Sequence, residues 1–275
     1  MENFSFELCD YTKPFLHFVG GESDGSGKSI VAKLLAEWIP GCALFDAGRG
    51  GNLKKLFKSK CEIMEPPPCD DLDWACEALE LVRQGRSAVI DLPSRRASEF
   101  ACWAASNSVG SAAVENGWGI FLWWVCDGTV ESKSALQKSL ELTGGELIHI
   151  LVRNLHFENY WSDSNSKWEW CDEDWFLERE EAGNLKSIDL PKLTAGHMNW
   201  LSRMDVTFLN ALSAKDAVGN FEFYAKTRSA VFRFVRASFK QFFRCNESLY
   251  ENIDENAEKN VKENTKEKLE KCRNI

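Results

Sequence analysis

In "ESDGSGKSI" the run Gly25, Ser26, Gly27 leads directly into Lys28, Ser29 and Ile30. Glycines flanking a small residue let the backbone curl so that successive N–H groups point inward, and a helix starting near Lys28 adds its positive end. Lys28 is then placed to meet β- and γ-phosphates, and Ser29 to ligate Mg²⁺. The pattern GxxxxGK[ST] is met except at its first glycine, where Glu22 follows Gly20 and Gly21. Asp91 ends "AVID", where a carboxylate holds the water shell of a metal, and Asp46 ends "ALFD", near enough in such a sheet to orient an attacking water. The loop also carries Asp24, whose unit charge about 5 Å from a phosphate would cost on the order of 3 kcal/mol at an effective dielectric near 20. The plainer alternatives are a glycine-rich turn with a solvated lysine, and strand-end aspartates that only cap turns.

Such residues work only if strands and helices deliver them to one edge. "FLHFVGG" (15–21) reads as a strand, "KSIVAKLLAEWI" (28–39) as a helix and "CALFD" (42–46) as a second strand. A helix follows over 71–84, then the apolar strand "SAVIDLP" (87–93). Helix-like "ASEFACWAAS" and "VESKSALQKSLEL" alternate with strand-like "WGIFLWWVCD" and "ELIHILVRN". Strands apolar on both faces and separated by helices predict a doubly wound α/β fold with a mostly parallel sheet, and a ligand at the carboxyl ends of its strands. Residues 1–244 are expected to form this domain with a helical C-terminal extension, and 245–275 a charged tail that is disordered or a solvated helix.

With 275 residues, 44% of them hydrophobic, the chain can bury a full core. No uncharged stretch reaches the roughly 18–20 residues of a membrane span, and the first residues lack a basic segment followed by an apolar one. A cytoplasmic protein without membrane contact is expected. The ten cysteines include no CxxC pair, so a zinc ribbon or a thioredoxin-type site is not indicated. The net charge of −9 is unevenly distributed. Residues 157–182 carry nine acidic and two basic side chains and 246–275 carry eight and six, which leaves the remainder neutral.

The loop and its surroundings resemble the ParA/MinD-type (CobQ/CobB/MinD/ParA) nucleotide-binding proteins, in particular the MobD-type plasmid mobilization branch. The likeness is carried by "HFVGGESDGSGKSIVAKLLAEWI", by "FDAGRGGNLKKLF" as a first switch segment and by "VIDLPSRRASEF" as a second. "HILVRN" resembles the strand whose final Asn faces adenine, and "IDLPKL" the late strand before the last helices. The resemblance covers roughly 15–240 and implies ATP with Mg²⁺, contacted by Gly25, Ser26, Gly27, Lys28, Ser29 and Ile30, with Asn154 at the base, Asp91 on the metal side and Asp46 and Lys28 in catalysis. It also implies a nucleotide-bound homodimer and a switch whose hydrolysis is weak or partner-dependent. Glu22 matches the branch. Ser23 stands in place of the signature lysine that reaches across such a dimer, and Asp24 in place of a glycine. Two alternatives follow: a degenerate, non-hydrolysing binding module, and a nucleotide kinase, since "DGSGKS" also resembles the loop of thymidylate kinases, with Arg95 and Arg96 available for a substrate phosphate.

Outside the core, 157–182 sets Trp161, Trp168, Trp170 and Trp175 among acids. It is expected to contact a protein partner, to fold as a lid over the sheet end, or to pin a long loop to the core. "RSAVFRFVRASFKQFFR" places Arg233, Arg236, Lys240 and Arg244 at helical spacing opposite a Phe-rich face, which reads as a solvated basic face or as a surface for nonspecific DNA contact. Residues 246–275 hold too little apolar content to fold alone.

Overall fold

A computed structural model describes residues 14–47, 52–57, 63–64, 74–157, 168–213 and 225–245. The first half runs β1 (Phe15–Gly20), α1 (Lys28–Trp38), β2 (Ala43–Asp46), α2 (Asn52–Phe57), β3 (Ile63–Met64), α3 (Trp74–Arg83), β4 (Ala88–Asp91), α4 (Arg96–Ser106) and α5 (Val109–Glu115). The second half runs β5 (Gly119–Cys126), α6 (Val130–Thr143), β6 (Ile148–Asn154), α7 (Asp174–Glu181), β7 (Leu185–Leu190), α8 (Ala195–Met204) and α9 (Phe208–Ser213). A last helix, α10, spans 225–245.

The strands form one seven-stranded sheet in the order β3-β2-β4-β1-β5-β6-β7, and every pairing in it is parallel. This is the α/β class that the alternating pattern predicted. A parallel sheet needs cover on both faces, and right-handed crossovers decide which helix covers which face. From β1 through β2 to β3 the chain moves one way, and α1 and α2 bury Leu34, Leu35, Leu53 and Phe57 against Val19, Leu44 and Val89. From β3 back to β4 and on to β7 it moves the other way. The helices α3, α4, α6 and α7 accordingly bury Ala78, Phe100, Leu136 and Phe176 on the opposite face, against Phe18, Ile90 and Trp124.

That rule leaves the first face of β5, β6 and β7 without a crossover helix, although Phe121, Trp123, Val125, Ile150, Val152 and Ile188 all project there. The final helices solve the problem. Leu201 of α8, Phe208 and Leu212 of α9, and Val231, Phe234, Val235, Phe239 and Phe242 of α10 complete this core. Phe242 meets Trp123 edge-on at 5.1 Å between ring centroids and Trp38 at 5.5 Å. The expected C-terminal helical extension is therefore an integral layer of the domain. Its described part runs to Cys245, itself buried, and the tail expected over 246–275 lies outside the described residues.

Candidate functional site

The crossovers leaving β1 and its neighbour β4 run to opposite faces of the sheet, and the loop leaving β1 opens at the carboxyl edge where that divergence creates a crevice. Gly27 caps α1 at φ +106°, no side chain caps the helix, and no acid occupies its first turn. Only Gly27's carbonyl enters the first helical bonds, accepting from Ile30 N at 3.0 Å and Val31 N at 3.2 Å. An 11-residue helix thus presents an uncompensated positive end to the loop. A side chain at Gly27 is excluded twice over, by the backbone angle and because a Cβ would stand 2.6 Å from Asn154 Nδ2.

Lys28 lies across this loop, only 7% exposed. Its Nζ donates to Ser23 O at 2.5 Å and to Ser26 Oγ at 3.5 Å. Burial pulls its pKa below the ordinary value, and the charges of Asp91, Asp24, Glu22 and Asp127 act against that shift. Ser29 is exposed, Ser26 is buried, Ile30 is half-buried and Asp24 stands exposed beside Gly25 at the loop's tip. Exposure gives the Asp24 carboxylate room in solvent, which reduces the electrostatic penalty expected from sequence.

The two aspartates come together. Asp46 and Asp91 are register partners on β2 and β4, and Asp91 is also in register with Val19 on β1, just before the loop. Asp46 Oδ2 accepts from Leu53 N at 3.0 Å and so fixes the start of α2. Asp91 is 3% exposed. Burial pushes its carboxyl up to about 6, opposed by a hydrogen bond from Ser29, reinforced by Asp46 and opposed again by Lys28 and Lys33. Its Oδ1 has no hydrogen-bond partner among the described residues. A buried carboxylate with a vacant oxygen beside a hydroxyl is an incomplete donor set. No group of three or more His, Cys, Asp and Glu side chains assembles as a metal cage among the described residues.

Asn154, expected at a base, is buried at the end of β6. Its Nδ2 donates to Ser26 O at 2.7 Å and its Oδ1 accepts from His156 N at 3.0 Å, so the amide braces the loop from the neighbouring strand. Sequence reading missed a second brace. Asp127, just past β5, accepts from Thr129 Oγ1 and Ser132 Oγ at 2.8 Å each, and Ser132 Oγ lies 3.2 Å from Ser23 Oγ. Burial works against the Asp127 charge, but bonds from Thr129, Ser132 and Ser23 outweigh it and hold the carboxyl below its usual range. The signal was present in "CDGTVES": an Asp directly after an apolar strand and before a Thr-capped helix. Glu22 is held from α4, accepting from Ser98 Oγ at 2.7 Å. Of the arginines considered for a substrate phosphate, Arg96 is ion-paired with Glu99, while Arg95 is exposed at φ +67°.

Trp168 and Trp170 are buried and join Phe176 in the core beneath α7, and Trp170 stacks on Trp175 at 6.1 Å. This part of the acidic segment is pinned to the domain, with Lys133 of α6 reaching Glu173 at 2.6 Å; Trp161 lies outside the described residues. On α10, Arg233, Arg236, Lys240 and Arg244 are all exposed. No helix among the described residues is long and apolar enough to cross a membrane.

No family model matches the chain, and no curated protein matches it.

Proposed function

We propose that this chain is an ATP-binding P-loop protein of ParA/MinD-like type, a nucleotide-controlled switch whose hydrolysis is slow or stimulated by a partner. One observation carries the reading: an uncapped helix end bearing Lys28 and Ser29 meets the register-paired Asp46 and Asp91 at a single edge of a parallel sheet. Backbone N–H groups of the loop and Lys28 bind the phosphates, Asn154 and the Asp127 network hold the loop in shape, and Asp46 is placed to orient water.

Mg²⁺ fits the donors present. It keeps most of its water shell and takes one or two protein oxygens, so no cage is needed. Ser29 and Asp91 would hold it, and when bound it neutralises charge on the transferring phosphate. The same residues make the cation a condition of binding, because Glu22, Asp24, Asp91 and Asp127 all act on Lys28. A bare triphosphate would meet more negative charge than positive.

Slow turnover follows from Ser23, which leaves the loop without a second cation to stabilise charge developing in the reaction. The same residue favours the second reading, a non-hydrolysing binding module. The ion pair from Arg96 to Glu99 counts against the kinase alternative, since it occupies an arginine which that reading needs. Homodimerisation around nucleotide and a role in plasmid mobilization come from the family resemblance, and a cytoplasmic location from the expectation drawn from the sequence's charge distribution and first residues.

Titration with a fluorescent ATP analogue tests the reading. Affinity should fall by at least about tenfold when Mg²⁺ is chelated, and Lys28→Ala should lower it by about two orders of magnitude, near 2.7 kcal/mol, with an unchanged circular dichroism spectrum. Equal affinity for the variant and wild type would make the loop a structural turn.

A further inference from the structure

The molecule divides its charge between the two faces of its sheet. Residues 225–245 contain Lys226, Arg228, Arg233, Arg236, Lys240 and Arg244 and no acid. Residues 168–182 contain seven acids and Arg179 alone as a base. The two segments therefore carry +6 and −6. The first packs through Phe234, Phe239 and Phe242 onto the core shared with α1, and the second through Trp170 and Phe176 onto the core shared with α4 and α6. They lie on opposite faces, so within one molecule the described parts of these segments cannot neutralise one another.

Each surface has the form of a docking helix. On α10 the exposed Arg233, Arg236, Lys240 and Arg244 recur every three or four residues, and Phe243, 36% exposed, stands among them. On α7 the exposed Asp174, Glu178 and Glu181 recur in the same way around Leu177, which is 43% exposed. A cationic stripe with one apolar side chain and an anionic stripe with another are complementary in charge, spacing and apolar content.

We propose that the partner of the α10 face is the α7 face of a second copy of this chain. Because the two patches differ and point in opposite directions, the contact is heterologous. Each added copy exposes the same pair of patches again, so association does not close at two. The contact lies on the broad faces of the sheet, and it requires no nucleotide.

Sedimentation velocity of the full chain without nucleotide, over a range of protein concentration, tests this. At about 0.05 M salt the weight-average mass should climb steadily above the 31.2 kDa monomer, passing twice that value, and at about 0.5 M salt it should return to the monomer. The charge reversal Arg233→Glu/Arg236→Glu should abolish the climb, as should Glu178→Lys/Glu181→Lys. Mixing the two variants should restore it, since each then offers the charge that the other lacks. Lys28→Ala should behave as wild type here, which separates this proposal from the nucleotide reading. A wild-type chain that stays monomeric at low salt, a dimer that persists at high salt, or failure of the mixed variants to associate would overturn it. So would a monomeric chain that binds duplex DNA through Arg233 and Arg236, which would make nucleic acid the occupant. The wild-type salt series decides the matter even if a variant fails to fold.

Discussion

Asp91 sits in an environment that works against its own charge. Its carboxyl is raised from an ordinary 3.8 to about 6, chiefly by burial. The native state then holds this proton more tightly than the unfolded chain does. The stability that this group contributes is complete below about pH 4 and is lost as pH rises through about 6. Above that range the ionised, buried Asp91 costs the fold on the order of 1–3 kcal/mol, an arrangement that makes sense where charge is needed to receive a cation. Asp91→Asn removes the charge and keeps the shape. Chemical denaturation at pH 4 should give nearly equal stabilities for variant and wild type, whereas at pH 8 the variant should be more stable by about 1–3 kcal/mol while binding nucleotide with Mg²⁺ more weakly. A variant no more stable than wild type at pH 8 would mean that Asp91 already has a compensating partner.

Among the elements, the strand ends and the loop were legible in sequence; of their braces, Asp127 left a local signal and the Asn154 contact left none. The apolar runs "FLHFVG", "ALFD" and "AVID" mark β1, β2 and β4, because a strand covered on both faces has no polar alternation to obscure it. β3 has two residues and α5 seven, too few for any period to register, and neither was anticipated. Asn154 was found as a residue of interest, but its contact with Ser26 was not, since a bond between positions 128 residues apart leaves no local pattern. The brace can be separated from the base contact that the family resemblance implies. Asn154→Asp retains the size but loses the Nδ2 donor and sets a carboxylate oxygen against Ser26 O. If Asn154 serves the loop, ATP and GTP analogues should weaken together, and the protein should lose about 1–3 kcal/mol of stability. A change in the ATP-to-GTP preference with stability intact would return Asn154 to the base.

At the scale of the whole molecule, the sequence announced α10 by its amphipathic pattern, but its task appears only when the sheet order is known. The crossovers beyond β1 all place their helices on one face, and the opposite face of β5, β6 and β7 depends on chain that arrives last. Composition could indicate an apolar side to α10, yet not that it would close the core containing Trp38 and Trp123. Adjacent phenylalanines test this division of labour. Phe242 is 1% exposed between those two tryptophans, while Phe243 turns outward among the basic side chains. Phe242→Ala deletes a ring from a filled site that can collapse only partly, so it should cost about 3–5 kcal/mol in a denaturant titration. Phe243→Ala should cost less than about 1 kcal/mol in the monomer at high salt. If α10 were an appendage docked loosely on a complete domain, the two variants would unfold at the same denaturant concentration as wild type, and the main transition would be preceded by a separate small one. A single cooperative transition, displaced only by Phe242→Ala, is the expected result, because the helix and the sheet share one core.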